Sequence, residues 1–137
     1  MGEVRVKAKL YNALDQALVR RGQLQPDQVR TYQADALVDT GAVRCTLPPH
    51  VVQQLGLQPV GQRVAEYADG RLEAVDLTEP FAIEMLGRSE TEDAMVLGDE
   101  VLIGQTALEK LDLVVDCAGR QLIPNPAHPD QPVSKVK

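Results

Sequence analysis

Apolar residues recur at every second position along several short stretches of this 137-residue chain, and turn-forming residues close each stretch. Val4, Val6, Ala8 and Leu10 interleave with Arg5, Lys7 and Lys9, and Phe81, Ile83 and Met85 repeat the pattern. A period of two puts one set of side chains on one face, which is the mark of a strand with one side buried. Tyr32 to Val38, the extended run from Val43 to Leu47, two stretches at about 62–68 and 71–77, Ala94 to Leu97 and Val101 to Ile103 read as further strands. Asp69-Gly70 predicts a type I′ hairpin turn, because both central residues of that turn need positive φ. Another turn falls near Gly87-Arg88, and Leu113 to Asp116 with Gln121 to Ile123 make a last hairpin around Ala118-Gly119. Two short helices interrupt the strands. Leu47-Pro48-Pro49 opens one over Val51 to Leu55, with Gly56 as its C-terminal cap, and a capping box from Thr106 to Glu109 marks the other over Gln105 to Leu111. Asn12 to Arg30 reads as a long hairpin connection with room for a short helical stretch. Short strands with a turn every eight to twelve residues or so predict an all-β barrel or sandwich.

The length suits one domain, since roughly 150 residues is the usual allowance. A net charge of −6 and only four aromatic residues, Tyr11, Tyr32, Tyr67 and Phe81, argue against nucleic acid as a partner. No stretch has the continuous apolar length of a membrane span, and the alternating N-terminus is unlike a signal peptide, so a cytoplasmic location is expected. His50 and His128 are far apart and no Cys-x-x-Cys occurs, so no metal site is expected. Cys45 and Cys117 are expected to be reduced and structural. Ser89 and Ser134 lie in no nucleophile elbow, and a Cys45–His50 nucleophile pair across the Pro48-Pro49 break is weaker than its plain reading as a core thiol beside a helix start. With neither a phosphate-binding loop nor a dinucleotide fingerprint, and no cofactor implied, the reactive inventory reduces to carboxylates.

One segment places a carboxylate informatively: Ala36-Leu37-Val38-Asp39-Thr40-Gly41-Ala42, running on to Leu47-Pro48. An Asp at the end of an apolar strand, followed by a hydroxyl residue and a glycine, presents a carboxylate on a tight loop whose amides can hold it. On its own the tripeptide could equally be a strand-end turn, with Thr40 bonded locally and Gly41 supplying positive φ. Two further features follow in order. They are the hairpin Tyr67-Ala68-Asp69-Gly70-Arg71, and Val101-Leu102-Ile103-Gly104 leading into Thr106 to Leu111 and Leu113-Val114-Val115-Asp116.

With these three features the chain resembles the retropepsin-like (clan AA) aspartic proteases, particularly the small bacterial single-lobe type, from Val4 to Pro124. The resemblance implies a closed, mostly antiparallel acid-protease barrel with one or two short helices over residues 1–124, followed by a Pro-rich C-terminal tail, 125–137, expected to be mobile. It implies that Asp39 is the catalytic carboxylate and that the Thr40 hydroxyl braces two active-site loops across an interface. Gly41 would let the loop turn beneath the carboxylate, and Tyr67, Ala68, Asp69, Gly70 and Arg71 would form a flap over substrate.

Carboxylate-driven peptide hydrolysis needs two Asp side chains sharing one proton, and this chain holds eleven Asp but a single Asp-Thr-Gly. A homodimer, with Asp39 of each subunit meeting at a two-fold axis, supplies the second carboxylate. The expected activity is that of an aspartic endopeptidase binding an extended peptide by strand addition, and the alternative is a non-proteolytic dimerisation or peptide-binding module on the same fold. Gln105 stands where viral members often carry an arginine that ties the dimer. The prolines from Pro124 onward oppose an interleaved terminal sheet of the viral kind.

Overall fold

The computed structural model describes residues 2–136 and is mostly β. β1 (Val4–Asn12) alternates between buried and more exposed positions, with Val6, Ala8 and Leu10 in the core, as its period of two requires. It pairs antiparallel along its full length with β2 (Thr31–Val38), from Val4 opposite Val38 to Tyr11 opposite Thr31. On its other edge β1 pairs with β6 (Phe81–Met85), which forms a hairpin with β7 (Arg88–Glu92).

The remaining strands lie beyond β2. They are β3 (Cys45–Leu47), β4 (Pro59–Glu66), β5 (Leu72–Thr78), β8 (Ala94–Val96) and β9 (Leu102–Ile103). The order across the sheet is β4-β5-β8-β3-β9-β2-β1-β6-β7, and a separate two-stranded sheet joins β10 (Leu113–Asp116) to β11 (Gln121–Pro124). The expected barrel closure is therefore not completed by hydrogen bonds: the nine-stranded sheet ends on β4 at one side and β7 at the other.

Three helices are present where one or two were expected. α1 (Ala13–Arg20) lies in the long connection from Asn12 to Arg30, where the sequence left room for a short helical stretch. Its cap is Asn12, whose Oδ1 accepts the Asp15 amide at 2.9 Å and whose Nδ2 donates to the Leu55 carbonyl at 2.8 Å, so this buried amide is satisfied at both ends. Asp15 in turn holds Arg30 through Nε and Nη2, both at 2.9 Å, and accepts the Arg30 amide at 3.0 Å, which pins the end of the connection to its start. The guanidinium bonds keep the Asp15 carboxyl below its ordinary value despite burial. A single turn of 3-10 helix, Pro26–Gln28, completes the segment.

α2 (Pro49–Leu55) starts with proline in its first turn and ends on Gly56 at φ 67°, as the sequence indicates. α3 (Gln105–Leu111) has the expected bounds but not the expected cap. Thr106 lies inside the helix and Gly104 is the N-cap; the Gln105 and Thr106 amides donate to the carbonyls of Ala42 (2.7 Å) and Val43 (3.2 Å). A neighbouring loop thus supplies the acceptors that a capping side chain would otherwise provide.

The turn chemistry is also redistributed. Between β4 and β5 only Gly70 has positive φ, so the Asp69-Gly70 turn is not type I′; Gly70 N donates to Tyr67 O and Tyr67 N to Arg71 O, both at 2.9 Å. The two-residue loop with positive φ at both positions is Leu86 (52°) and Gly87 (76°), between the paired Met85 and Arg88.

The Pro-rich segment, read as unable to extend a sheet, starts inside one and makes specific contacts with the body. Pro124 is the last residue of β11, opposite Leu113. Asp112, the left-handed C-cap of α3 (φ 56°), accepts Asn125 Nδ2 at 3.0 Å and the Val133 amide at 3.0 Å, and bonds His128 Nδ1 at 2.6 Å. Buried Arg88 spans the same place, donating to the carbonyls of Leu111 (3.1 Å), Asp112 (2.7 Å) and His128 (2.6 Å). Leu10, Leu47, Leu55, Phe81, Ile83, Ile103 and Leu111, all fully buried, form the centre of the core.

Candidate active site

Asp39 sits one residue past the end of β2, where the strand leaves its parallel partner β9. Its amide donates to the Ile103 carbonyl at 3.0 Å, the last rung of that ladder, and its carboxylate is exposed. The loop then closes on itself. Gly41 N donates to Asp39 Oδ1 at 2.9 Å and Ala42 N to the Asp39 carbonyl at 3.2 Å. The next two carbonyls, of Ala42 and Val43, are those that cap α3, so β2, β9 and α3 fix the loop from three sides.

This bedding depends on Gly104. A Cβ there would lie 2.5 Å from the Arg44 carbonyl oxygen and 2.9 Å from that of Val43, closer than side-chain carbons approach backbone. The glycine is needed for contact, not for φ, which is −88°. At Gly41 the constraint is milder, since a Cβ would meet Asp39 Oδ1 at 3.2 Å.

Two clefts open on Asp39. One, of about 550 Å³, lies under the β4–β5 hairpin and is lined by Asp39, Gly41 and Val43 on the loop side, Met95, Leu97 and Leu102 behind, and Arg63 to Tyr67 from the hairpin. The other, about 430 Å³, lies on the opposite side, where Asp39 and Thr40 meet Glu3, Val115, Cys117 and Arg120. Asp39, Thr40 and Gly41 are thus together, as their sequence adjacency requires, and Tyr67 shares a cleft with Asp39. Ala68, Asp69, Gly70 and Arg71 form the exposed tip of the hairpin and do not line that cleft.

The hairpin tip carries its own contacts. The Tyr67 hydroxyl donates to the Glu73 carboxylate, a hydrogen bond that holds the phenol above its ordinary value, and the Arg71 guanidinium stacks 4.2 Å from the Tyr67 ring centroid. Asp69 Oδ1 accepts the Arg71 amide at 3.0 Å, closing the turn. Sequence pattern alone did not single out Arg63, Met95, Leu97 or Arg120, because each owes its place to strands brought together from distant parts of the chain.

Other candidates fall outside the site. Cys45 is buried beside Gly104, and burial raises its thiol to about 11, which suits a core residue and not a nucleophile. Cys117 is exposed, so its reading as a structural thiol is not supported. His50 packs edge-on against Tyr32, ring centroids 6.2 Å apart. Among the described residues no three His, Cys, Asp or Glu side chains are grouped to hold a metal, and no helix is long and apolar enough to cross a membrane.

No protein-family model and no curated protein matches the chain. Solved structures do. The chain has a retropepsin-like fold: it is similar to part of a foamy viral protease–reverse transcriptase solved with an RNA/DNA hybrid (12% identity, TM-score 0.51, 77% of this chain), although it spans only 11% of that polypeptide. It is also similar to the retroviral protease-like domain of Ddi1 from Leishmania major, at 13% identity and a TM-score of 0.56, over 92% of this chain and 90% of that domain. At these identities the likeness is one of fold.

Proposed function

We propose that the chain is one subunit of a homodimeric aspartic endopeptidase acting in the cytoplasm, with Asp39 contributing one carboxylate from each subunit. The observation that carries this reading is the placement of Asp39: exposed on a loop held by β2, β9 and α3, and opening on both clefts at once. The cleft under the hairpin suits an extended peptide, since β4 is a sheet edge with free main-chain groups and the floor is apolar. The other cleft suits the second subunit. Thr40 is exposed there, and among the described residues its hydroxyl makes no hydrogen bond within its own chain, which leaves it available to a partner.

In the dimer the two Asp39 carboxylates share one proton. The ionised one takes a proton from a water molecule as that water attacks the peptide carbonyl carbon, while the protonated one donates to the carbonyl oxygen. Collapse of the tetrahedral intermediate then returns a proton to the leaving nitrogen. The Gly41 amide on Asp39 Oδ1 orients the carboxylate for this work, and closure of the 67–71 flap excludes bulk water.

A non-proteolytic module that dimerises or binds peptide on the same fold is the second reading. What favours it is the tail, which is folded back onto Asp112 and Arg88 and so is not extended toward a partner in the manner of an interleaved dimer. A peptide-library digest by the wild type beside Asp39→Asn, with sedimentation at the same concentration, separates the two. The endopeptidase reading expects a dimer and a loss of roughly 10²–10⁴-fold or more in cleavage by the variant, with the fold intact because Asn can still accept the Gly41 amide. Cleavage undiminished in Asp39→Asn excludes this mechanism, and a dimer that cleaves nothing supports the module.

A further inference from the structure

The cleft beneath the β4–β5 hairpin has an apolar floor of Met95, Leu97 and Leu102, and strand register decides which hairpin side chains face it. Arg63 is opposite Val75 and Ala65 is opposite Glu73; directly opposed residues of an antiparallel pair share a face. Ala65 and Val75 are buried, whereas Val64 and Leu72, on the alternate face, are 66% and 63% exposed. The Arg63 side chain therefore leaves the hairpin on the inward face, and Glu66, opposite Leu72, on the outward one.

Of the two arginines that line the cleft, one is already paired. Arg44 Nη1 lies 2.8 Å from Asp93, and Glu73 accepts the Tyr67 hydroxyl. Arg63 differs: among the described residues it forms no ion pair, and its Nη1 donates only to the carbonyl of its neighbour Gln62, at 2.8 Å. Most of the five donors of a guanidinium are left over, in a planar fork that matches a carboxylate.

We propose that Arg63 reads a carboxylate side chain on the bound peptide, so that the substrate class is extended peptides carrying Glu or Asp among aliphatic residues. This rests on the reading of the hairpin cleft as a peptide site. In a two-fold dimer each subunit contributes one Arg63, and the acidic residue is therefore accepted on either side of the bond that is cut. The neighbouring apolar floor holds the aliphatic side chains, and the edge of β4 pairs with the peptide main chain without regard to sequence.

The test compares matched peptides that differ only in Glu against Gln, drawn from the same library, in two measurements. The first is cleavage by the wild type, Arg63→Gln and Arg63→Glu; the second is fluorescence anisotropy of the same peptides on Asp39→Asn with and without each Arg63 substitution. Arg63 is exposed, so these variants retain the fold. The wild-type site is expected to prefer Glu over Gln by about five- to tenfold. Arg63→Gln should abolish that preference and Arg63→Glu should reverse it in favour of Gln. The preference should also strengthen as pH rises through about 4.3, where the peptide Glu ionises. Should nothing be cleaved while Asp39→Asn still binds Glu peptides more tightly in an Arg63-dependent way, hydrolysis fails and the role of Arg63 stands. Equal treatment of Glu and Gln in both measurements, a preference that survives Arg63→Gln, or no binding of any peptide overturns it.

Discussion

A few backbone contacts decide how Asp39 is presented, and the close approach of its loop to α3 depends on Gly104. Its missing side chain lets the Arg44 and Val43 carbonyls come close to the start of α3, where the Ala42 and Val43 carbonyls accept the Gln105 and Thr106 amides and so hold the loop that carries Asp39. Gly104→Ala is expected to destabilise the protein by about 1–3 kcal/mol, as overpacking against backbone does, and to lower activity further than the loss of folded protein explains. Thermal unfolding together with specific activity per folded molecule checks both parts. Because φ at this position is ordinary, the effect should grow with side-chain size and should not be relieved by Asn, as it would be at a left-handed position.

Among the elements, α1 hangs on Asn12, which caps the helix and ties it to the end of α2 through the Leu55 carbonyl. Asn12→Ala removes a cap and leaves a buried carbonyl unpaired, so a loss of about 1–3 kcal/mol is expected in chemical denaturation. The tail depends in the same way on Asp112. Hydrogen bonds from Asn125 and the Val133 amide, with His128 beside them, hold the Asp112 carboxyl down at about 2 from an ordinary 3.8. A depressed carboxyl favours the folded arrangement only while ionised: its contribution is whole above 3.8 and is lost as pH falls through about 2. Amide exchange at Val133 should therefore quicken as pH is lowered across that window, relative to the intrinsic rate. Asp112→Asn, which the left-handed backbone at φ 56° tolerates, should remove most of that dependence.

At the scale of the whole molecule the decisive quantity is association. A single chain holds one Asp-Thr-Gly, so on the proposed endopeptidase reading activity should follow the fraction of dimer and rise more steeply than linearly with protein concentration when dilute. In the proposed dimer, two carboxylates meeting at the interface are tolerated while they share a proton and repel once both are ionised. A bell-shaped dependence of kcat/KM on pH with an acidic-side maximum is expected, and the dimer should weaken as pH rises. Sedimentation across the same pH range measures the second effect independently of catalysis. A monomer throughout, or activity still rising at pH 9, contradicts the shared-proton site.

Local chemistry by itself determined much of this protein. The alternation in β1 and β6, the proline and glycine that bound α2, and the position of Asp39 at the end of an apolar strand are all readable within a few residues, because periodicity and backbone freedom act over that range. The helix that Asn12 caps was obscured by the weak apolar pattern of Ala13–Arg20, which left only room for a short helical stretch in the connection. Tertiary structure decided the rest. The cap of α3 comes from the loop after Asp39 and not from Thr106, the tail is anchored by Asp112 and Arg88 despite its prolines, and Arg63 reaches the Asp39 cleft only through the pairing of β4 with β5. Each of these joins groups distant in sequence, and hydrogen-bond donors and acceptors carry no label in the sequence that says which partner folding will bring to them.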